Sequence, residues 1–262
     1  MPTALVILAA GQGSRMESDL PKVLHKLAGA PLLAHAMRAG QPLEPERVIV
    51  VAGHGSDLVR KAAQEFDDSV EIVLQSEQLG TSHAVDQARA SLADFDGTVI
   101  VLYGDTPFIR PETLQAMLDK HAEGNAVVVL GFEAANPGRY GRLIVTDGHL
   151  REIVEAKEAT PAQLAVTLCN SGVICADSAV LFDLISKVKN DNASGEFYLT
   201  DIIGLANKAQ LRCATVTCDE AETLGINTRA ELAGAEAAFQ IRARREALEN
   251  GATLTAPDTV WL

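Results

Sequence analysis

Short apolar runs rich in β-branched residues alternate with longer amphipathic stretches through the first half of the chain. The runs are apolar at nearly every position, which is typical of parallel strands that helices cover on both faces. This pattern predicts βαβ units and a mainly parallel sheet. The predicted strands are residues 5–9, 48–52, 72–75, 99–103 and 127–132, and the predicted helices lie near residues 31–39, 56–65, 81–92 and 111–122.

The pattern changes after about Gly138. Two segments, 141–147 and 149–155, flank an Asp-Gly pair that is typical of a β-hairpin. Further predicted elements are strands at 167–175 and 213–217, helices near 179–188 and 199–209, and one long helix from Thr228 to Asn250. We expect a smaller α+β lobe beside the main sheet. The balanced charges of the long helix predict a solvated connector.

Composition excludes several classes of protein. The 262 residues carry 22 Lys+Arg against 35 Asp+Glu, a net charge of −13, with 4% aromatic residues. Such a chain offers little to a phosphate backbone or to stacked bases, so we expect no nucleic-acid partner. No apolar run reaches the roughly 18 residues that cross a bilayer, so we expect a cytoplasmic protein with no membrane partner. The scattered cysteines and histidines predict reduced thiols and no structural zinc.

The segment LAAGQGSRMESDLPK (8–22) combines a strand end, a Gly-rich loop and two cations. Glycines let backbone amides approach an anion closely, and Arg15 and Lys22 supply the charges that a polyphosphate needs. Met16 replaces the third glycine of a dinucleotide-binding loop, which argues against an NAD-dependent oxidoreductase. The ending of a P-loop is also absent. The loop therefore predicts a phosphate site that is neither a dinucleotide-binding loop nor a P-loop. The alternative is a turn that binds no ligand.

Tyr103-Gly104-Asp105 follows the most apolar predicted strand. Ligands of open α/β sheets bind at the carboxyl ends of strands, and a carboxylate there suits Mg²⁺. The alternative is that Asp105 only caps the turn at Pro107. Mg²⁺ usually takes one or two protein oxygens, so we expect a second ligand elsewhere, which periodicity alone does not identify.

An ordered set of motifs extends this picture. They are LAAGQGSRM with LPK, QSEQLGTSHA (75–84), YGD (103–105), YGR (140–142), IVEAKEA (153–159), CNSG (169–172), GEFYLTD (195–201) and INTR (226–229). With them the chain resembles the uridylyltransferase half of the bacterial bifunctional N-acetylglucosamine-1-phosphate uridyltransferase / glucosamine-1-phosphate acetyltransferase family, from Ala4 to about Asn250. The resemblance implies a Rossmann-like nucleotidyltransferase fold, a GT-A-like mixed, mainly parallel sheet with flanking helices, plus a smaller α+β sugar-binding lobe.

The resemblance also implies roles for individual residues. Arg15 and Lys22 become the catalytic cations on the triphosphate, and Asp105 and Asn227 become the Mg²⁺ ligands. The implied nucleotide-binding residues are Leu8, Ala9, Ala10, Gly11, Gln75, Gln78, Gly80 and Thr81. The implied sugar-phosphate-binding residues are Tyr103, Gly104, Gly141, Glu155, Asn170, Thr200 and Asn227.

The implied reaction is Mg²⁺-dependent transfer of UMP from UTP to N-acetylglucosamine 1-phosphate. It gives UDP-N-acetylglucosamine and pyrophosphate for peptidoglycan and lipopolysaccharide precursors. Because a phosphate nucleophile is already ionised near pH 7, the reaction requires no general base. Two alternatives stay open: a related nucleotidyltransferase for another base or sugar phosphate, against which EQLGT and INTR argue, and a catalytically silent nucleotide-sugar sensor.

Family members carry a second domain, a left-handed β-helix that trimerises and transfers acetyl groups. We expect a nucleotidyltransferase domain at 1–227, a connector helix at 228–251, and the start of a truncated or absent β-helix at 252–262. Acetyl transfer is therefore not expected of these residues, and a homotrimer is expected only where the β-helix domain is present. Ser14, Ser171 and Phe197 depart from the Thr, Thr and Tyr that are usual in the family.

Overall fold

A computed structural model describes residues 1–262 as eleven β-strands and eight α-helices. The strands are β1 (Thr3–Ala9), β2 (Lys26–Leu27), β3 (Ala30–Pro31), β4 (Arg47–Ala52), β5 (Glu71–Leu74), β6 (Thr98–Tyr103), β7 (Val127–Glu133), β8 (Arg142–Thr146), β9 (His149–Val154), β10 (Leu168–Asp177) and β11 (Cys213–Cys218). The helices are α1 (Leu32–Gly40), α2 (Ser56–Phe66), α3 (Thr81–Asp86), α4 (Pro111–Ala122), α5 (Pro161–Leu164), α6 (Ser178–Ile185), α7 (Asp201–Lys208) and α8 (Arg229–Glu249). No helix is both long enough and apolar enough to cross a membrane.

Nine of the strands form one mixed sheet. Its central path runs β11-β7-β10-β6-β1-β4-β5, and β10 alone on this path runs antiparallel to its neighbours. The β8–β9 hairpin joins the sheet through β10, so the predicted lobe is continuous with the main sheet. The prediction of a mainly parallel, Rossmann-like sheet is confirmed.

The apolar runs of the sequence reflect burial on both faces of the sheet. Along β1, Leu5 and Ile7 pack into one hydrophobic cluster, while Val6 and Leu8 pack into the other. Helices α1, α2 and α4 cover the first face, and α3, α6 and α7 cover the second. Because every position of such a strand is buried, the positions after the first residue of β1 are all apolar.

The predicted helix at 81–92 is shorter in the structure. Helix α3 ends at Asp86, and a short 3₁₀ turn, Ala90–Leu92, follows. Between them the amides bond to carbonyls three residues back, which tightens the chain, and Arg89 donates to the Phe182 carbonyl at 3.0 Å. The prediction of one continuous helix is therefore wrong, because tertiary contacts turn the chain after Asp86.

Helix α8 is the predicted long helix, with a capping box at its start and Gly251 in the left-handed region just past its end. Its inner face carries Ala235 into a small cluster with Phe108 and Ile226. The chain then folds back, and Gln240 exchanges hydrogen bonds with Leu262. The helix is thus solvated on its outer face only.

Candidate active site

A cavity of about 290 Å³ opens at the carboxyl ends of β1, β5 and β6. These strands run parallel, so the loops that follow them meet at one edge of the sheet. We call this space the first cavity, and it is lined by Leu8, Ala9, Ala10, Gly11, Lys22, Val23, Gln75, Gln78, Gly80, Thr81, Ala84, Tyr103, Asp105 and Glu196. All eight residues predicted to bind the nucleotide lie in this wall.

The Gly-rich loop after β1 brings Lys22 back to the strand end. Gly13 adopts a φ of 63°, and a Cβ there would lie 2.7 Å from the Lys22 Cβ. Only glycine fits such an approach without displacing the neighbour. The loop therefore places Lys22 in the cavity wall by a close passage that a side chain at position 13 would block.

Two cationic side chains and two side chains with acceptor oxygens, from distant parts of the chain, meet in one cluster. The Lys22 ammonium donates to the Asp105 carboxylate and, at 3.0 Å, to the Asn227 amide oxygen. Arg15 donates to the same amide oxygen at 2.9 Å. The side chains of Lys22 and Asp105 are only 13% and 18% exposed, so solvent screens their attraction weakly. The Asp105 side chain thus pairs with the Lys22 ammonium, and it makes no hydrogen bond that would cap the turn at Pro107.

Backbone contacts fix the position of Asn227. The Ile226 amide donates to the Asp105 carbonyl at 3.0 Å, which ties this segment to the end of β6. The Glu231 carboxylate accepts from the backbone amides of Asn227 and Thr228 at 2.7 and 3.0 Å as part of the capping box of α8. The helix was predicted to start at Thr228, but no role was predicted for Glu231, although the T-x-x-E spacing is the sequence signature of a capping box.

The donor set fits a divalent cation. One ammonium contacts an oxygen of both Asp105 and Asn227, so the two oxygens converge on a common point. Carboxylate and amide oxygens are the hard ligands that Mg²⁺ prefers, with phosphate and water completing its shell. No group of three or more His, Cys, Asp or Glu residues could hold a metal, so a cation here depends on this pair together with a bound ligand.

A second cavity, of about 450 Å³, shares Tyr103 and Asp105 with the first. Its wall consists of Arg15, Tyr103, Asp105, Thr106, Arg139, Tyr140, Asn170, Ser171, Thr223, Gly225, Asn227 and Glu231. Three residues of the predicted sugar-phosphate set are among them: Tyr103, Asn170 and Asn227. The cluster of Lys22, Asp105 and Asn227 therefore lies where the two cavities adjoin.

Four other residues of the predicted sugar-phosphate set line neither cavity: Gly104, Gly141, Glu155 and Thr200. Gly104 is buried, and its amide donates to the Leu8 carbonyl at 2.9 Å, which is a packing role. Glu155 accepts from the Thr200 hydroxyl at 3.3 Å, and the Gly141 carbonyl accepts from the Asn170 amide at 2.8 Å. Through Asn170, Gly141 is tied directly to the wall of the second cavity.

The loop 137–140 brings further residues to the second cavity. The buried Arg142 guanidinium donates to the carbonyls of Pro137, Gly138 and Tyr140, which fixes the loop. Arg139 and Tyr140 then line the cavity. These two residues and Glu196 lie in or beside the motifs YGR and GEFYLTD, but no role was predicted for them. Motif matching did not show which of those positions face a cavity.

Glu155 is expected to cost stability at neutral pH. Burial raises the pKa of its carboxyl above the ordinary 4.5, against the Thr200 hydrogen bond, and nearby Glu158 and Asp201 add to the rise. The native state then holds this proton more tightly than the unfolded chain, so stability falls as pH rises from 4.5 through the raised pKa. Glu155→Gln should therefore raise the free energy of unfolding at pH 7, with the gain disappearing towards pH 4.5.

Urea denaturation across this pH range measures the effect. Glu249→Gln, which removes an exposed carboxylate at the end of α8, is the control and should show no such pH-dependent gain. A variant at position 155 that is less stable than the original chain at pH 7 would contradict the expectation.

The loop 75–81 is pinned to the segment 197–199. The Phe197 amide donates to the Leu79 carbonyl at 2.8 Å, and the Leu199 amide donates to the Thr81 hydroxyl at 3.0 Å. Between them Gly80 has a φ of 118°, and a Cβ there would lie 2.5 Å from the Phe197 carbonyl oxygen. The motifs QSEQLGTSHA and GEFYLTD, far apart in the sequence, thus form one wall of the first cavity.

Gly80→Ala is expected to lower the free energy of unfolding by about 1–3 kcal/mol, because it forces an alanine into a strained conformation against backbone. Chemical denaturation measures the change. Gly204→Ala is the matched control: this glycine lies in α7 with nothing near its missing Cβ, and the alanine should stabilise by about 0.5–1 kcal/mol. Equal stabilities for the two variants would contradict the clash at Gly80.

Comparison with known proteins identifies the family. Residues 5–189 match the MobA-like NTP transferase domain. The chain is 64% identical to the bifunctional protein GlmU of Cereibacter sphaeroides over 258 residues. The alignment covers 98% of this chain and 57% of that protein. It is 62% identical over 260 residues to GlmU of Roseobacter denitrificans, which covers 99% of this chain and 58% of that protein. The chain thus spans less than two thirds of these relatives.

Solved structures share the fold at low sequence identity. A UDP-glucose pyrophosphorylase in complex with UDP-glucose has a TM-score of 0.73 at 17% identity, over 92% of this chain and all of that one. The inositol-1-phosphate CTP transferase of T. maritima has a TM-score of 0.68 at 16% identity, over 87% and 90% of the two chains. With the family model covering more than half of its length, the chain belongs to the MobA-like NTP transferase family and is a nucleotidyltransferase homologous to the GlmU proteins.

Proposed function

We propose that this chain transfers UMP from UTP to N-acetylglucosamine 1-phosphate with Mg²⁺, giving UDP-N-acetylglucosamine and pyrophosphate. The observation that carries the proposal is the cluster of Lys22, Asp105 and Asn227 at the junction of two adjoining cavities. Such a junction suits a reaction between two phosphates. The product would serve peptidoglycan and lipopolysaccharide precursor synthesis in the cytoplasm, as in the family that the chain resembles.

The nucleotide occupies the first cavity in this proposal. The loop residues Ala10 and Gly11 approach the nucleotide through their backbone, while Gln75 and Gln78 offer amide groups that can both donate and accept at a base edge. The sugar phosphate occupies the second cavity, beside Tyr103 and Asn170. Its hydroxyls and acetamido group are recognised by the implied set described above, in which Gly141 is hydrogen-bonded to Asn170 and Glu155 to Thr200.

The reaction is a direct displacement at phosphorus. An oxygen of the sugar phosphate forms a bond to the α-phosphorus of UTP, and the bond from that phosphorus to the oxygen bridging to the β-phosphate breaks. The electron pair of the broken bond leaves with pyrophosphate. The second pKa of a phosphate monoester is about 6, so the nucleophile is ionised at neutral pH. No side chain therefore has to remove a proton from it.

The side chains act by position and charge. Arg15 offers two parallel donors to phosphate oxygens, and Lys22 offers a compact ammonium at the junction of the cavities. Asp105 and Asn227 would hold Mg²⁺, which would supply further positive charge at the junction of the cavities. Fixed charges in a partly dry site stabilise a transition state without rearranging, which is where the rate enhancement arises. Local cations thus outweigh the net charge of −13.

The division of the chain is part of the same proposal. Apart from Glu231, the residues that line the two cavities lie within 1–227, while 228–251 form the connector helix and 252–262 begin a left-handed β-helix domain in longer members of the family. Homotrimers and acetyl transfer belong to that further domain. The relatives with which the chain shares 58–64% identity are named bifunctional proteins, which agrees with this division.

Pyrophosphate release by the purified chain tests the proposal. UTP, dTTP, CTP and ATP are offered separately with Mg²⁺ and N-acetylglucosamine 1-phosphate, and glucose 1-phosphate is the control sugar. We expect release with UTP and the N-acetylated sugar, and its loss when Mg²⁺ is chelated. Release with a different pair would indicate a related nucleotidyltransferase, and binding of a nucleotide sugar without any release would indicate a sensor.

A further inference from the structure

The amide of Gln75 has a defined orientation. Its side chain follows β5 and is only 4% exposed. The amide nitrogen donates to the Gly80 carbonyl at 3.2 Å and lies 3.1 Å from Nδ1 of His83. A carbonyl oxygen only accepts hydrogen bonds, and a ring nitrogen accepts when it carries no proton. Both hydrogens of the amide nitrogen are therefore directed towards α3 and the loop before it.

His83 is held on the side away from Gln75 as well. Its Nε2 lies 3.2 Å from the Gln87 amide nitrogen, which donates to the His83 carbonyl at 3.0 Å. Both ring nitrogens thus face an amide nitrogen, and a neutral imidazole accepts at only one of them. Gln75 is buried, whereas Gln87 is half-buried and can turn towards water, so the Gln75 contact sets the tautomer. This contact requires the tautomer that carries the ring proton on Nε2, in which Nδ1 accepts.

The amide oxygen of Gln75 is consequently free. It accepts no hydrogen bond from the protein, and it is not among the buried polar atoms that lack a partner, so it is open to the first cavity. A hydrogen-bond acceptor in this place attracts the N3–H group of uracil. It repels the lone pair that cytosine carries on N3. The direction of one amide group thus distinguishes the two bases.

We propose that His83 is a positioning residue that sets the base preference of the site, because it holds the Gln75 amide oxygen towards the first cavity. The inference rests on the proposed function, in which the base of the nucleotide lies against Gln75. Without an acceptor at position 83, only the Gly80 carbonyl still holds the NH₂ group, so the amide turns over more readily and presents that group to the cavity, which suits cytosine. Thymine carries the same N3–H group as uracil, so His83 affects discrimination against cytosine and leaves the choice between UTP and dTTP unchanged.

His83→Leu tests the inference through the ratio of kcat/KM for UTP to that for CTP. We expect this ratio to fall by about tenfold, since a site that loses a defined hydrogen-bonding group loses discrimination of this order or more. The ratio for UTP to dTTP should not change. His83→Asn keeps an acceptor oxygen near the place of Nδ1 and should restore most of the UTP over CTP preference. Gln87→Met, which removes the contacts with Nε2 and with the His83 carbonyl and leaves Nδ1 in place, is the control and should retain the original ratio.

Three outcomes separate the inference from the proposed function. A chain that prefers UTP, with the same UTP to CTP ratio in His83→Leu, overturns the inference alone. A parallel fall of activity with UTP, CTP and dTTP also overturns it, because that pattern indicates general structural damage. No preference for UTP in the unmodified chain overturns the proposed function and the inference together. If His83→Leu does not fold, His83→Phe, a ring without an acceptor, serves for the same comparison.

Discussion

Replacing Asp105 by alanine is expected to lower turnover by about 10³-fold or more while the chain keeps its fold. Asp105 supplies the single carboxylate at the junction of the two cavities, and its partner Asn227 contributes only a neutral amide oxygen. A neutral oxygen alone holds a divalent cation weakly. The variant therefore loses the charge that the proposed reaction needs beside the reacting phosphates. Pyrophosphate release at saturating substrates measures the loss.

Two comparisons make the Asp105 result specific. Asp105→Asn keeps the size of the side chain and removes its charge, so it should lose nearly as much activity as Asp105→Ala. Asp96→Ala removes an exposed carboxylate just before β6 and should retain full activity. Thermal unfolding shows whether each variant is folded. Activity retained in a folded Asp105→Ala chain would remove Asp105 from the reaction.

The sheet could be predicted from the sequence because its strands are buried on both faces. In β1 every residue is buried, and all of them after Thr3 are apolar. The order of the strands was not predictable in the same way. Nothing in residues 168–177 indicates that β10 runs antiparallel between β6 and β7, because a buried strand looks the same in either direction.

The candidate site was also predictable only in part. The nucleotide set lies in two local segments, one at the end of β1 and one after β5, and residues this close in sequence stay together whatever the rest of the fold is. Glu155 and Thr200 pair with each other and line neither cavity, which a motif could not reveal. His83 acts only through a contact with another side chain, and a single sequence carries no signal for such a contact.

Position 22 connects the fold to the proposed chemistry. The Gly-rich loop depends on Gly13, because the absence of a Cβ at this position leaves room for Lys22 beside the backbone. The ammonium then contacts the same two oxygens that fit a divalent cation. In the proposed site, Lys22 and a divalent cation would therefore compete for Asp105 and Asn227, and the lysine would become available to phosphate oxygens when a cation takes its place.

Lys22→Met is accordingly expected to change activity and cation binding in opposite directions. Turnover should fall by about 10²–10³-fold, because one fixed positive charge at the reacting phosphates is lost. The affinity of the free chain for Mn²⁺, used in place of Mg²⁺ as a paramagnetic probe, should rise by about tenfold, because the carboxylate of Asp105 no longer has a cationic neighbour. Lys26→Met, an exposed lysine on β2, is the control for both measurements. A fall in turnover without tighter Mn²⁺ binding would show that Lys22 does not compete for these oxygens, and unchanged turnover would remove Lys22 from the reaction.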